Sequence, residues 1–412
     1  MKVNKTPGGR KATFKQKLPL IVFGLVFGLI LSEIGLRIVG YSYPQFYQND
    51  YYRGFALRPG VEGTYRREGT SYVRVNSDGL RDREHAKTKP ANTVRIALLG
   101  DSFSEAMHLP MEQTFWWLLQ QQLKQCGLFA AKDVELINFG VSGYGTGQEL
   151  MTLREKVWDY SPDIVMLVVC TSNDVRDNYR GLSKTEQVPY FTYRNGALIY
   201  DDSFRTSPSY LRRESRLSRV GAWFHDHLRI IQLIHYVQFV GKLRFAEWRG
   251  RKNLRQTDVA PGTAKAEDIG IDNMPYVEPH NDDWRQGWEI TERLIEEMRN
   301  EVEQKGAKFL MVLGSNAIQV YPDPVVRQNF MRHIGVSTVF YPNTRLKGLA
   351  DRDHIDCFDL ANPMQAYADE HKVFLHGFDR DIGNGHWNAA GHRVVADLLA
   401  QKVCGDNALL PR

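Results

Sequence analysis

The stretch VRIALLGDSF, residues 94–103, decides the fold. A short, almost continuously apolar run ends in glycine, and an Asp-Ser pair follows at once. A run of this length bounded by turn residues fits a strand buried on both faces. Working outward, the same signal recurs in VELINFG (134–140), DIVMLVVCTS (163–172), AKFLMVLGS (307–315) and HKVFLHG (371–377). Amphipathic helical patterns separate these runs, over 112–125, 147–160, 284–304 and 389–403. Apolar strands alternating with such helices predict a three-layer α/β/α domain built on a doubly wound, flavodoxin-like parallel sheet. In such a sheet ligands bind outside the carboxyl ends of the strands.

The polar residues that follow these runs are chemically specific. Ser102, in GDSF, sits where a strand turns into the next element, which exposes its hydroxyl and aims its N–H into the same space. NFGVSGYGTGQE (138–149) lets the backbone approach a ligand, with the Gly143 N–H as a candidate donor. In TSND (171–174) the Asn173 amide can donate to a developing oxyanion. GHWNAAGH (385–392) places His386 before the last helix, where an imidazole can take the proton of a serine hydroxyl. Each block has a plain alternative: Ser102 and Asn173 as helix caps, 138–149 as an ordinary glycine-rich turn. His392, six residues past His386, reads as structural. The chemistry expected of this set needs no cofactor, and no metal spacing is evident; His225 and His227 do not share a helix face.

The chain has 412 residues, 42% apolar and 25% charged, with a net charge of +5. That composition is globular, and the basic residues sit beside no nucleic-acid reading motif. The first 17 residues carry six Lys or Arg and no acid, and LPLIVFGLVFGLIL (18–31) follows. Extended to residue 40, the stretch gives 23 residues, enough to cross a bilayer of roughly 30 Å at 1.5 Å per residue. The expectation is a single transmembrane anchor over 18–40, with 1–17 cytoplasmic and the rest exported. A cleaved signal peptide is the rival, though no convincing cleavage site is present. Glu33 and Arg37 are spaced to pair near the outer interface.

Residues 41–92 read as a juxtamembrane segment with short strands, and 93–405 as the catalytic-type domain. An insertion at about 181–281 interrupts the alternation. It opens with YFTYRNGALIY (190–200), a hairpin turning at Asn195-Gly196. It continues with Arg-rich, aromatic-rich helical sequence carrying Arg212, Arg213, Arg216 and Arg219, and ends in a polar, loop-like stretch (253–281). The arginines fit a face for anionic headgroups, a cleft for an acidic polysaccharide, or a solvated helix surface. Four cysteines, Cys126, Cys170, Cys357 and Cys404, show no metal spacing, and their pairing stays open.

Taken together and in this order, the four blocks resemble those of the SGNH hydrolases, also called GDSL esterases. The resemblance covers about residues 94–404 and places Ser at Ser102, Gly at Gly143, Asn at Asn173 and His at His386. It implies two-step acyl transfer: Ser102 attacks an ester, His386 acts as base, and the Ser102 N–H, Gly143 N–H and Asn173 amide hold the oxyanion. One departure stands out. The family's acid three residues before the histidine is replaced by Gly383. Asp381 or Asp379 reaches around the loop to orient His386, or a backbone carbonyl does so, or the site is slow or inactive. Three functions follow: an exported esterase acting on acetyl or other esters of carbohydrate or cell-envelope material, a polysaccharide O-acyltransferase working beside a multi-span acyl-donor protein, or a non-catalytic polysaccharide-binding or assembly protein.

Overall fold

The computed structural model describes residues 13–129, 132–254 and 271–405. Most of the basic tail, residues 1–12, and most of the polar stretch, residues 255–270, lie outside the described residues. A helix over Phe14–Ile38 comes first and stands exposed along most of its length. It is long and apolar enough to cross a membrane over Lys17–Ile38. Two small antiparallel hairpins follow: β1 (Tyr47–Asp50) with β2 (Gly54–Leu57), and β3 (Glu62–Tyr65) with β4 (Ser71–Arg74).

The chain then enters a parallel sheet made of β5 (Thr93–Leu99), β6 (Asp133–Asn138), β7 (Ile164–Val169), β10 (Lys308–Leu313) and β11 (Cys357–Asp359). Between β7 and β10 lies a separate hairpin, β8 (Tyr190–Arg194) and β9 (Ala197–Asp201). It turns through Asn195 and Gly196 at φ 51° and 81°, the pair of left-handed conformations that a type I′ turn demands. The order across the parallel sheet is β11-β10-β7-β5-β6. This is the flavodoxin order, and the chain reverses direction across the sheet between β5 and β7.

Side-chain alternation shows why the strands are apolar throughout. Ala97 and Leu99 of β5, Val165, Leu167 and Val169 of β7, and Met311 and Leu313 of β10 face one core, beneath the helices Thr146–Glu155, Asp282–Gln304 and Tyr341–Asp353. Val94, Ile96 and Leu98, Ile164, Met166 and Val168, and Leu310 and Val312 face the other, beneath Phe115–Lys124, Ala361–His371 and Ala389–Cys404. All six residues of β7 are buried. Each such side chain stabilises the fold by about 1.5–3 kcal/mol relative to exposure.

The fifth strand is a correction. The run 371–377 does not enter the sheet; its only described pairing is a single bridge, His376 to Trp387. The sheet edge is instead Cys357–Asp359, three residues long, paired to Met311–Leu313. Leu375 is buried because this segment packs as a loop beneath the Trp387 turn, which gives it a strand's apolarity without a strand's ladder. A disulfide joins Cys126 to Cys404, tying the C-terminal ends of two helices packed on the same face. Cys170 and Cys357 are free.

Candidate active site

Ser102 opens a one-turn helix, Ser102–Glu105, directly after β5. The Asp101 carboxylate accepts the Phe103 N–H at 2.9 Å, so Asp101 rather than Ser102 caps this turn and the serine hydroxyl is left for another partner. That partner is His386, whose Nε2 lies 2.7 Å from Ser102 Oγ. The turn is held from below. Asn138 Nδ2 and Trp116 Nε1 both donate to the Ser104 carbonyl, at 3.0 and 2.9 Å.

His386 is delivered by the loop that precedes the helix Ala389–Cys404, which Asn388 caps. Beneath the loop, His376 Nδ1 lies 2.7 Å from the Gly385 carbonyl and its Nε2 lies 3.2 Å from Ser315 Oγ, which in turn accepts the Trp387 indole N–H at 2.9 Å. Burial holds His376 neutral, with a pKa near 4, so it is a fixed donor and not a second base. His392 is buried with Nδ1 accepting the Phe115 N–H at 3.0 Å, a scaffold contact.

The acid is Glu68. Its Oε2 lies 2.5 Å from His386 Nδ1, and its Oε1 accepts the His386 backbone N–H at 2.9 Å. Glu68 sits in the turn joining β3 to β4, 318 residues from the histidine it holds. Asp379 and Asp381, the candidates nearest in sequence, lie exposed on a short 3-10 turn and make no bond to His386. Their place is taken because the Glu68 carboxylate fills the space beside Gly385. Gly385 has φ 70°, and a Cβ there would collide with Glu68 Oε1. The glycine before the histidine is the local signal that something polar approaches from outside, but nothing in the sequence says what.

Burial alone would lower the His386 pKa. The hydrogen bond and charge of Glu68, with Asp101 and Glu105 farther off, outweigh it and raise the pKa above its usual 6.5. For Glu68, burial pushes upward, but the His386 hydrogen bonds and charge win and hold the carboxyl below its usual value. The pair therefore favours imidazolium beside carboxylate, the state that a proton taken from Ser102 would create.

Gly143 lies at the C-terminal end of β6, at φ 80°, which only glycine adopts without strain. Its loop is tied to the serine turn: the Ser142 hydroxyl donates to the Glu105 carboxylate, which also accepts the Tyr47 hydroxyl at 2.8 Å. Asn173, after β7, begins the helix Asp174–Asp177 without making a side-chain cap. Its Nδ2 donates instead to Asp101 Oδ2 at 3.2 Å, across the β5–β7 switch point. An amide carries two N–H donors, so this bond orients the second. Serine, glycine and asparagine thus stand at the ends of three neighbouring strands, and His386 meets them from the last helix. Among the described residues, no group of three His, Cys, Asp or Glu side chains is arranged to hold a metal.

A cavity of about 1610 Å³ adjoins the site on its Ser142–Gly143 side. Tyr47, Phe55 and Tyr65 of the N-terminal hairpins form one wall, and Trp223, Phe224 and Phe239 of the insertion form the other. Ser102 and His386 do not line it; it is a chamber beside the reacting atoms.

No family model matches the chain. A segment of 127 residues is 28% identical to an arylesterase of Vibrio mimicus; it covers 29% of this chain and 60% of that relative, so the chain spans less than two thirds of the relative's length. Among solved structures the chain is similar to the acetyl xylan esterase AlAXEase, at 16% identity and TM-score 0.38 over 75% of this chain and 100% of that one. It is also similar to a lipolytic protein of the G-D-S-L family from Desulfitobacterium hafniense, at 11% identity and TM-score 0.34 over 75% and 98%. The strand order, the four blocks at the strand ends and the serine–histidine–carboxylate relay across them are the arrangement that the resemblance to the SGNH (GDSL) hydrolases implies.

Proposed function

We propose that this protein is an exported serine esterase, held to a membrane by its N-terminal helix, that acts through an acyl-enzyme on Ser102. The observation that carries the reading is the unbroken relay from Ser102 Oγ through His386 to Glu68, at 2.7 and 2.5 Å. Ser102 Oγ attacks an ester carbonyl as His386 Nε2 takes its proton. The Ser102 N–H, Gly143 N–H and the free donor of Asn173 hold the oxyanion. The leaving alcohol takes the proton back from His386, and water, deprotonated by the same imidazole, releases the acid. Glu68 also supplies the carboxylate that the sequence around His386 lacks.

Acetyl esters of carbohydrate or cell-envelope material are the proposed substrates, on the arylesterase and acetyl xylan esterase likenesses. The apolar helix supports the anchor, and the Cys126–Cys404 disulfide fits an oxidising compartment. The size and aromatic lining of the chamber favour a second use of the same residues, in which a sugar hydroxyl replaces water and the acyl group is transferred, from a donor supplied by a multi-span membrane partner.

The test is hydrolysis of p-nitrophenyl acetate by the full chain in detergent, beside Ser102→Ala, with fluorophosphonate labelling. Turnover by the wild type, lost in the variant together with the label, supports the acyl-serine. Equal rates and an unlabelled Ser102 would overturn it. Adding acceptor oligosaccharides and weighing the products separates transfer from hydrolysis.

A further inference from the structure

The insertion is clamped to the apolar helix at one point. Two of its helices, Arg216–His227 and Arg229–Leu254, meet at an elbow centred on Leu228. Glu33 accepts the Ile230 N–H at 3.0 Å, at the positive end of the second insertion helix. Arg37 donates to the His227 carbonyl at 2.5 Å, at the negative end of the first. Glu33 and Arg37 also pair with each other at 2.8 Å. Each charge thus meets the helix end that favours it, and a carboxylate and a guanidinium spaced one turn apart fix the elbow's position along the apolar helix. Beyond the elbow the second helix continues along the chain leaving the anchor, with Gln232 accepting the Tyr43 N–H at 2.8 Å and Tyr236 against Tyr43 at 5.1 Å.

This position bears on the exposed side chains of the first insertion helix. Leu217, Val220, Trp223 and Phe224 are 85%, 54%, 54% and 44% exposed on the first insertion helix, where 217, 220 and 224 share a face. Trp223 stacks on His227 at 4.3 Å, at the elbow itself. Arg216 and Arg219 stand exposed on the same helix. If residues 18–40 span a bilayer, Glu33 and Arg37 lie within the last ~10 Å of the span, where hydrocarbon gives way to headgroups. The elbow is hydrogen-bonded at that same level.

We propose that the insertion elbow is a second, interfacial membrane contact, in which Val220, Trp223 and Phe224 enter the outer leaflet and the neighbouring arginines meet anionic headgroups. Tryptophan and phenylalanine beside basic residues are the composition of helices that lie in an interface. Trp223 and Phe224 also line the chamber beside Gly143, so its wall on this side lies at the lipid surface. The inference rests on the anchor reading of the N-terminal helix, and the experiment keeps the two apart.

The full chain is reconstituted into phosphatidylcholine–phosphatidylglycerol vesicles with bromines placed either near the headgroups or at the chain ends. Tryptophan emission of the wild type is compared with that of Trp223→Phe, which keeps a ring against His227, and with a Phe23→Trp variant reporting from within the apolar helix. The difference signal of Trp223 is expected to be quenched, more by the shallow bromines than by the deep ones. An unquenched Trp223 beside a quenched Phe23→Trp overturns the interfacial contact and leaves the anchor standing. No quenching at either position overturns the anchor, and the elbow contact with it.

Discussion

The parallel sheet and the β3–β4 hairpin each place one end of the same relay, and they hold it by different means. Ser102 follows β5, whose interior residues are buried between two cores and hydrogen-bonded to β6 and β7. Moving the serine means disturbing the cooperative centre of the domain. Glu68 rides on a hairpin of four-residue strands with Tyr72 exposed on its outer face. Local contacts hold that loop: Ser71 Oγ donates to the Met107 carbonyl, and Gly69, at φ 63°, packs on the His108 carbonyl and the Phe378 ring. In the proposed mechanism the nucleophile is thus placed by global stability and the orienting acid by a peripheral fit. Activity and stability should therefore separate between the two regions.

The largest effect expected is from Ser102→Ala, at least about 10³-fold in kcat, because no other residue supplies the nucleophile. Next comes Glu68→Gln, which keeps the shape but not the charge. Loss of tautomer control and of imidazolium stabilisation predicts a fall of about 10²–10⁴-fold in kcat with little change in thermal unfolding, while Asp381→Asn stays at the wild-type rate. A full rate in Glu68→Gln, or a loss in Asp381→Asn, would return the orienting role to the nearer acid. Leu167→Ala, in the centre of β7, is the opposite case: about 2–5 kcal/mol of stability, read by denaturant unfolding, with kcat retained in the fraction that stays folded.

A smaller effect separates the oxyanion donors. Asn173→Ala is expected to lower kcat by about 10²-fold, with KM little changed, because the amide matters only once charge develops on the carbonyl oxygen.

The pH profile sharpens the comparison further. His386 must be neutral to act as base. Its pKa is raised, so the acid limb of kcat/KM should lie above pH 6.5. His376, near 4, and the buried His108 and His392, both held well below the usual value, do not titrate in that window. Glu68→Gln removes the group that raises the pKa, so the limb should move to lower pH as the plateau falls. The linked stability has the matching sign. The raised histidine contributes fully below pH 6.5 and loses its contribution as pH rises through its folded pKa. The depressed Glu68 contributes above its usual pKa and loses its contribution as pH falls through its folded value. A limb that stays in place in Glu68→Gln would mean that another group sets the His386 pKa.

The same division explains what was legible in the sequence. β5, β6, β7 and β10 announce themselves because strands buried on both faces must be apolar at every position, and the residues just past them carry the serine, glycine and asparagine blocks. β11 does not, since three edge residues make no pattern, and the stronger apolar run at 371–377 draws the eye to a loop. Glu68 was invisible for a related reason. A turn between two short, half-exposed strands has no periodicity to read, and its partner lies 318 residues away. Gly383, where the resemblance would put an acid, and Gly385, beside the Glu68 carboxylate, record only that space is needed.

The disulfide offers the gentlest perturbation, and it acts on the sheet side alone. Cys126 follows the helix Phe115–Lys124, and Cys404 ends the helix that begins three residues after His386. The bridge closes a loop of 278 residues, so in the chain-entropy account its main effect is on the unfolded chain, about 2–5 kcal/mol. It sits at the far end of a 16-residue helix, ~24 Å from the histidine's end of that helix. Cys404→Ser should therefore lower Tm by on the order of 2–6 °C, read by differential scanning fluorimetry, while kcat at 25 °C stays within about twofold of the wild type. Dithiothreitol should reproduce the shift in the wild type and add nothing in the variant, since Cys170 and Cys357 are already free. An unchanged Tm would mean that helix packing alone holds the last helix. A lost kcat at an unchanged Tm would mean that the bridge holds the His386 loop in place, which would erase the separation between the region that stabilises the fold and the region that tunes the relay.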